Sequence, residues 1–402
     1  MGNTSITKKP DVGDEPERQA LPANVKPIHY DLTIDPNLTT FKFDGVVIID
    51  LKVKKTSDFI TLHTLDLELF DVKLLTSSKF PASDQHHDAV SDSGDSSIRP
   101  ISSNYNKEDQ TTTFQFEKDT LIKDETVKLY AKFIGELNDK LVGFYRASYE
   151  VDGEKKYLAT TQMQPTHCRR VFPCFDEPKL KATFDISLIL DSNLTGISNM
   201  DVKEEVSLKP SREKISFNTT PLMSTYIVAF VVGDLEYIES TSFRDVPVRL
   251  YTTRGLVERG RHSVEVCAKY LKYFEDLFGL PYPLPKFDAV SVLDMFGAME
   301  NWGLLIGSSQ YFLFDPAATS VATTIHNTET IAHEIAHQWF GNLVTMKNWD
   351  SLWLNEAFAT FMTSQAVDHF EPDWLTWESF VGDSLQIALK GDGFRSSHPI
   401  ES

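Results

Sequence analysis

A pair of histidines four residues apart, followed after eighteen further residues by a glutamate, constrains the fold of this chain most strongly. His333 and His337 flank Glu334 within a segment, 328–340, whose apolar residues recur at helical spacing. Side chains four apart on a helix project from one face, so both imidazoles can bind one cation. Glu356 lies in a second predicted helix, 352–370, which must fold back against the first to bring the carboxylate to the same point.

These residue types suit zinc chemistry. Neutral imidazoles and a carboxylate bind Zn²⁺, and three protein ligands leave the fourth tetrahedral position for water. We predict that His333, His337 and Glu356 bind one Zn²⁺ per chain. Glu334 is then the general base that accepts the water proton and passes it to the leaving amine. A chance motif would instead be a solvated helix face without a third ligand, and the second helix favours the metal site.

A second motif lies shortly before the first histidine and is followed by Trp302 and Gly303. It consists of Gly297, Ala298, Met299, Glu300 and Asn301. Together with the metal motif, it resembles the M1 family of zinc aminopeptidases (gluzincins). The resemblance implies an edge strand that pairs with the substrate backbone and a glutamate, here Glu300, that binds the substrate's free α-amine. A blocked or internal peptide would leave this carboxylate unpaired at a cost of about 1–3 kcal/mol or more, which favours exopeptidase specificity.

Residues 161–178, with the sequence TQMQPTHCRRVFPCFDEP, are similar to a second stretch of that family. The resemblance places a further contact to the substrate amine and first side chain at Gln164. Because an amide is an uncharged acceptor, it should bind the ammonium less strongly than a carboxylate would and relax a preference for basic first residues. For the rest of the stretch, a junction loop stiffened by prolines is an equally good interpretation.

Composition and charge narrow the function classes. With 402 residues, 41% of them hydrophobic, the chain can form two or three domains. A net charge of −19 without a basic stripe argues against a nucleic-acid partner. The sequence has no long apolar run and begins with polar residues, so we expect neither a membrane anchor nor a signal peptide. Three sparse cysteines indicate buried thiols and a cytoplasmic location, whereas the oligomeric state is not predicted.

The pattern along the chain predicts a multi-domain protein. Residues 1–18 are a polar tail, and 19–234 contain short alternating strands typical of an all-β domain, with a flexible surface insertion at 83–109. Residues 235–402 combine a helix at 263–278, strands near 289–293 and 302–306, and the two metal-bearing helices. This is an α+β pattern. The family resemblance implies an all-β N-terminal domain followed by a thermolysin-like catalytic domain, here incomplete at its C-terminus.

The resemblance also implies a tyrosine beyond the third ligand that stabilises the oxyanion, and a C-terminal helical domain. The last tyrosine is Tyr311 and 46 residues follow Glu356, so we expect both parts to be missing. Losing one oxyanion donor typically lowers the rate about 10²–10³-fold. Two functions stay open: a zinc-dependent aminopeptidase that acts on peptides with a free N-terminus, and a catalytically weak zinc- and peptide-binding protein. Glu300 disfavours an endopeptidase, which needs an open cleft.

Overall fold

A computed structural model describes residues 20–75, 97–240, 243–315, 317–397 and 399–400. The predicted tail, 1–18, lies outside these residues. The strands are β1 (Val25–Asn37), β2 (Lys42–Val53), β3 (Phe59–His63), β4 (Glu68–Leu75), β5 (Ser97–Ile98), β6 (Ser102–Asn106), β7 (Thr111–Gln115), β8 (Thr126–Glu136), β9 (Gly143–Val151), β10 (Glu154–Gln162), β11 (Thr183–Asp191), β12 (Thr195–Ser198), β13 (Val202–Lys209), β14 (Arg212–Phe217), β15 (Phe230–Gly233), β16 (Leu235–Ser240), β17 (Val248–Thr253), β18 (Phe287–Val292), β19 (Ala298–Met299) and β20 (Leu304–Ser308).

The α-helices are α1 (Arg261–Phe278), α2 (Ser309–Phe312), α3 (Val321–Ala336), α4 (Leu352–Phe370), α5 (Thr376–Ser379) and α6 (Gln386–Asp392). Short 3₁₀ turns lie at Cys168–Arg170, Thr225–Ile227, Val257–Gly260, Trp349–Ser351 and Pro372–Trp374, and a π-helical segment spans Phe380–Leu385.

The first part of the chain is built from three sheets. An eight-stranded sheet has the order β13-β14-β11-β1-β2-β8-β4-β5, a four-stranded sheet the order β12-β15-β10-β9, and a three-stranded sheet the order β3-β7-β6. Alternate residues of β2, including Val47, Ile49 and Leu51, are fully buried, while their neighbours are half-buried. This period of two places one face of the sheet on the core. The predicted all-β fold class of this region is confirmed.

The second part combines a mixed sheet with helices. The sheet order is β16-β17-β18-β20-β19; β17, β18 and β20 are parallel, and both edge strands are antiparallel to their neighbours. Helix α3 packs against α1 and α4. The helical period of 263–278 predicts that Val264, Cys267, Tyr270 and Leu271 face inward, and all four are buried. The α+β class is therefore confirmed. The chain passes from β15 to β16 at Asp234, and 19–234 and 235–402 stay our proposed domains.

The structure corrects three predictions. The flexible insertion at 83–109 is too long, because 97–98 and 102–106 are strands; residues 83–96 lie outside the described part. Every residue of β6 is exposed, so this edge strand carries no apolar alternation that a sequence pattern could detect. Helix α3 begins at Val321 instead of 328, where the Ser320 side chain accepts a hydrogen bond from the Thr323 amide. The apolar run at 226–232, whose pattern predicts a strand, forms one only from Phe230, after a 3₁₀ turn.

Candidate metal centre

The two histidines and the third predicted ligand meet where α3 packs on α4. His333 and His337 lie on consecutive turns at the end of α3, with their Nε2 atoms 2.9 Å apart. Glu356 lies in the first two turns of α4, which spans the predicted 352–370. Its Oε2 lies 3.3 Å from His333 Nε2 and 3.4 Å from His337 Nε2. The structure thus brings all three predicted ligand atoms to one point.

The hydrogen bonds of His337 fix its tautomer. Its Nδ1 lies 2.8 Å from the carbonyl oxygen of Phe340, which can only accept, so Nδ1 donates and carries the proton. In the neutral ring, the Nε2 lone pair then points at His333 Nε2 and at the Glu356 carboxylate. Converging lone pairs repel unless a cation or a proton lies between them. The donor set therefore fits zinc, and the backbone carbonyl of Phe340 orients one ligand.

Three buried or half-buried glutamates set the electrostatics of the centre. Burial lowers the pKa of His337, but Glu300, Glu356 and Glu334 outweigh it and raise that pKa to about 9. Burial would raise the pKa of Glu356, but the hydrogen bonds to both imidazoles hold it well below its usual range. Near neutral pH, His337 therefore holds a second proton unless a divalent cation takes that place.

Glu334 is buried beside the histidines. Burial, followed by the charge of Glu300, raises the pKa of Glu334 to about 8. Burial also raises the pKa of Glu300. A carboxylate whose pKa lies near neutrality can both accept and release a proton at physiological pH, which is what a general base that later acts as an acid requires. The environment of Glu334 therefore suits its predicted role.

The Gly297 to Asn301 motif forms the edge of the five-stranded sheet, as the family resemblance implied. Strand β19 pairs with β20, where Met299 faces Ile306, and the Gly297 carbonyl accepts a hydrogen bond from the Ser308 amide at 2.9 Å. Gly297 has a φ of +71°, which favours glycine. The other edge of β19 has no partner strand among the described residues. It is available for pairing with an extended peptide.

Glu300 follows this strand and enters the centre. Glu300 is 3% exposed, and its Oε1 is buried without a hydrogen-bond partner among the described residues. A buried carboxylate oxygen without a donor is unfavourable by about 1–3 kcal/mol or more, so this position invites a cationic ligand. Asn301 is also buried, and its Oδ1 likewise lacks a partner in the described part of the chain.

Sequence reasoning missed the two amides that hold Glu300 in place. The Glu300 carbonyl accepts hydrogen bonds from Gln338 Nε2 at 3.1 Å and from Asn342 Nδ2 at 2.7 Å. Gln338 Oε1 also accepts from the Gly303 amide at 3.1 Å. Gln338 directly follows the ligand His337, so one side chain ties the metal-bearing helix to the edge-strand motif. In the sequence, the one indication of this role is that a polar residue, Gln338, directly follows a predicted ligand. The structure shows that Gln338 is fully buried.

The start of α4 is anchored in a similar way. Asn355, the residue before Glu356, donates from Nδ2 to Tyr226 Oη at 3.1 Å, and that hydroxyl donates to the Gly341 carbonyl at 3.1 Å. Asn355 Oδ1 accepts from the Met346 amide at 3.2 Å. These bonds fix the turn between the two helices and thereby the direction of Glu356.

Gln164 lies just beyond β10 and is half-buried. Two residues earlier, Gln162 donates from Nε2 to Met299 Sδ at 3.6 Å, which brings the end of β10 beside the edge-strand motif. The peptide bond between Gln164 and Pro165 is cis. The location is compatible with the predicted contact to a substrate amine, and that role stays a prediction.

Comparison with known proteins identifies the family of this chain. The chain matches the Peptidase M1 N-terminal domain over residues 26–227 and the Peptidase family M1 domain over residues 262–402. It belongs to the M1 peptidase family. Aminopeptidase 2 of Candida albicans is 49% identical to this M1 chain over 386 residues, which cover 96% of the chain and 39% of the relative.

Two other M1 relatives show the same relation. The Alanine/arginine aminopeptidase of Saccharomyces cerevisiae is 44% identical over 96% of this chain and 43% of its own length. The Puromycin-sensitive aminopeptidase of Caenorhabditis elegans is 39% identical over 95% of this chain and 39% of its own length. The chain thus spans about two-fifths of the relatives it matches. In the part of this M1 chain that the structure describes, no helix is both long enough and apolar enough to cross a membrane.

Proposed function

We propose that this chain carries the zinc and amine-binding machinery of an aminopeptidase that removes the N-terminal residue from peptides. The observation that carries the proposal is the meeting of His333 Nε2, His337 Nε2 and Glu356 Oε2, whose ligand atoms all lie within 4.8 Å of one another. Beside them lies Glu300, with an unpartnered buried carboxylate oxygen. We call Glu300 the amine clamp, because its carboxylate can bind the α-ammonium of a peptide. A metal centre next to such a group suits hydrolysis at a free N-terminus.

His333, His337 and Glu356 would hold one Zn²⁺, which, when bound, would supply Lewis acidity and a water with a pKa of about 7. Glu334 takes the proton of the attacking water and gives it to the leaving amine. Its raised pKa, about 8, makes Glu334 a stronger proton acceptor than an ordinary carboxylate, and the more basic leaving amine can then take the proton from it.

Substrate binding is divided between backbone and carboxylate. The free edge of β19 pairs with the peptide backbone and fixes its register. Glu300 accepts hydrogen bonds from the α-ammonium, and Gln164 offers an uncharged acceptor to the same group. A peptide with a blocked N-terminus leaves Glu300 buried and unpaired, so the site selects free amino ends. Gly297, Ala298, Met299 and Asn301 complete the edge.

A zinc- and peptide-binding protein with little turnover is the second candidate. The family resemblance implies an oxyanion tyrosine beyond Glu356, and the last tyrosine in the 402 residues is Tyr311. Both candidates share the metal centre and the amine clamp, and they differ only in rate. From the sparse cysteines, all three free and buried, we also propose a cytoplasmic location.

The test combines turnover, zinc content and peptide affinity of the purified chain. An aminoacyl nitroanilide should be hydrolysed, the rate should vanish with a chelator, and zinc should restore it. Glu334→Gln should retain zinc and peptide binding but lose turnover. Glu378→Gln, an exposed change outside the site, is the matched control. Zinc and peptide binding without turnover would select the second candidate, and an absence of zinc binding would refute both.

Glu300→Gln tests the amine clamp separately. A lost charge-assisted bond of about 1.5–3 kcal/mol lowers the affinity for a free-amine peptide roughly 10- to 150-fold. The zinc content should not change. The same peptide with an acetylated N-terminus should bind weakly to both proteins and should not distinguish them. If the variant prefers the free-amine peptide over the acetylated peptide as strongly as the unchanged protein does, Glu300 does not bind the α-ammonium.

A further inference from the structure

A tight turn follows the amine clamp, Glu300. In this turn the Leu304 amide donates to the Asn301 carbonyl at 2.9 Å. Gly303 occupies the third position with a φ of +74°, a value that a type II turn requires there. The carbonyls of the two central residues, Trp302 and Gly303, make no hydrogen bond inside such a turn. Because the turn is buried, they need partners from elsewhere in the protein.

The Trp302 carbonyl is held by an asparagine of the first proposed domain, 19–234. Asn199 Nδ2 donates to this carbonyl at 2.9 Å, from a position 103 residues earlier in the chain. The same amide group donates to the Ile227 carbonyl at 2.9 Å, and Asn199 Oδ1 accepts from the Ala229 amide at 2.9 Å. Asn199 is fully buried. Its side chain is therefore fixed by its own domain and offers one N–H to the turn.

A buried lysine binds the next carbonyl of the turn to the same place. Lys286 Nζ donates to the Gly303 carbonyl at 2.6 Å and to the Ser198 carbonyl at 2.7 Å. Its charge is paired with Asp288, 2.8 Å away. Lys286 belongs to the second proposed domain, 235–402, so its ammonium links the turn to the residue before Asn199. Two adjacent carbonyls of the turn are thus each tied to the first domain.

The first domain also binds the segment that precedes the edge-strand motif. Ser148, in β9, donates from its amide and from its hydroxyl to Asp294 Oδ2, each at 3.2 Å. Asp294 lies three residues before Gly297, the first residue of the motif. The backbone that carries Glu300 is therefore bound to the first domain on both sides of the motif.

We propose that Asn199 and Lys286 are positioning residues for the amine clamp, so that recognition of a free N-terminus depends on the first domain. This rests on the proposed binding of the α-ammonium by Glu300. Glu300 Oε1 has no hydrogen-bond partner among the described residues, so the position of this oxygen depends on the backbone that carries it. The bonds that hold the following turn therefore help to place the carboxylate beside the metal centre.

The affinity for pentaalanine relative to N-acetylated pentaalanine tests the proposal. Calorimetry measures this ratio on the zinc-loaded full chain with Glu334→Gln, which prevents hydrolysis during the titration. Asn199→Leu keeps a similar size but removes the donor to Trp302. The ratio should fall about 3- to 10-fold, the effect of one hydrogen bond, while the zinc content stays the same. Lys286→Met with Asp288→Asn removes both buried charges together, so neither is left alone, and should lower the ratio by a similar factor.

Asn24→Leu is the matched control. Asn24 is also buried in the first domain, and its Nδ2 donates to the Phe59 carbonyl at 2.7 Å and to the Ser57 hydroxyl at 3.0 Å, away from the site. This variant should unfold at a lower temperature, as Asn199→Leu should, but should keep the affinity ratio. An equal fall of the ratio in the control, or no fall in either site variant, shows that the bonds serve only stability and overturns the proposal.

Hydrogen exchange separates this proposal from the proposed function, because it needs no peptide. The Leu304 amide should exchange about 3- to 10-fold faster in Asn199→Leu than in Asn24→Leu. If the unchanged protein does not prefer the free-amine peptide, Glu300 is not an amine clamp, and the positioning role fails with it. If the unchanged protein does prefer it, but Leu304 exchange or the affinity ratio is the same in the site variants, only the positioning role is refuted. Failure of both site variants to fold shows that the bonds maintain the fold itself, which also overturns the proposal.

Discussion

Replacing Gly303 by alanine should destabilise the protein through a close backbone contact. Gly303 has a φ of +74°, and a Cβ added there would lie 2.5 Å from the Asn199 carbonyl oxygen and 2.5 Å from Leu284 Cδ2. The residue is held on both sides, since its amide donates to Gln338 Oε1 at 3.1 Å and its carbonyl accepts from Lys286 Nζ at 2.6 Å. It therefore has no room to move away from the added carbon.

Two contributions set the loss in the free energy of unfolding that Gly303→Ala should cause. The left-handed backbone costs alanine about 1–2 kcal/mol relative to glycine. Inserting a methyl group into a packed site costs about 1–3 kcal/mol, and here one neighbour is a backbone carbonyl that cannot rotate aside. The expected loss in the free energy of unfolding is about 2–5 kcal/mol. Because the turn carries the Gln338 hydrogen bond, peptide binding at Glu300 should weaken as well.

Urea denaturation followed by tryptophan fluorescence measures the effect. Gly153→Ala is the matched control, because Gly153 has a φ of +80° but no atom within 4 Å of the added carbon. The control should lose only the backbone term, about 1–2 kcal/mol. If both variants lose the same free energy, the close approach to Asn199 contributes nothing and the reasoning is refuted.

Three other changes test the centre and its support. Because the pKa of His337 is raised to about 9, a proton occupies the site below that pH and competes with zinc. Zinc affinity should therefore rise about tenfold per pH unit from about pH 7 to about pH 9. Competition titrations measure this affinity, and an affinity that does not change with pH would contradict the prediction. Gln338→Met should lower the free energy of unfolding by about 1–3 kcal/mol and weaken peptide binding while zinc content stays constant, as calorimetry and elemental analysis can check. Asp176→Ala leaves the buried Arg169, 3.0 Å away, without its carboxylate, and a loss of about 3–5 kcal/mol is expected in denaturation; less than 1 kcal/mol would contradict it.

Periodic and motif-bearing features were predictable from the sequence. The 352–370 helix begins and ends at the predicted residues. His333 and His337 share a face because residues four apart on a helix lie one turn apart. The Glu356 carboxylate reaches the same point only because α4 packs on α3, which no local spacing fixes. The mixed sheet with β19 at its edge followed from the family resemblance.

Features that depend on tertiary partners were not predictable. Strand β6 is polar on both faces, and it exists because β7 offers it a hydrogen-bonding edge. Gln338 and Asn342 hold the Glu300 carbonyl across a gap of some forty residues, which no local spacing encodes. Long-range hydrogen bonding is visible only once the chain is folded.

X-ray absorption spectroscopy on zinc-loaded protein, together with its metal content, tests the central claim most directly. One zinc per chain with two imidazole nitrogens in its shell is expected, and His337→Ala should remove one of these nitrogens and most of the bound metal. Metal-free protein after folding in zinc-replete medium, or a zinc shell without histidine, would contradict the account.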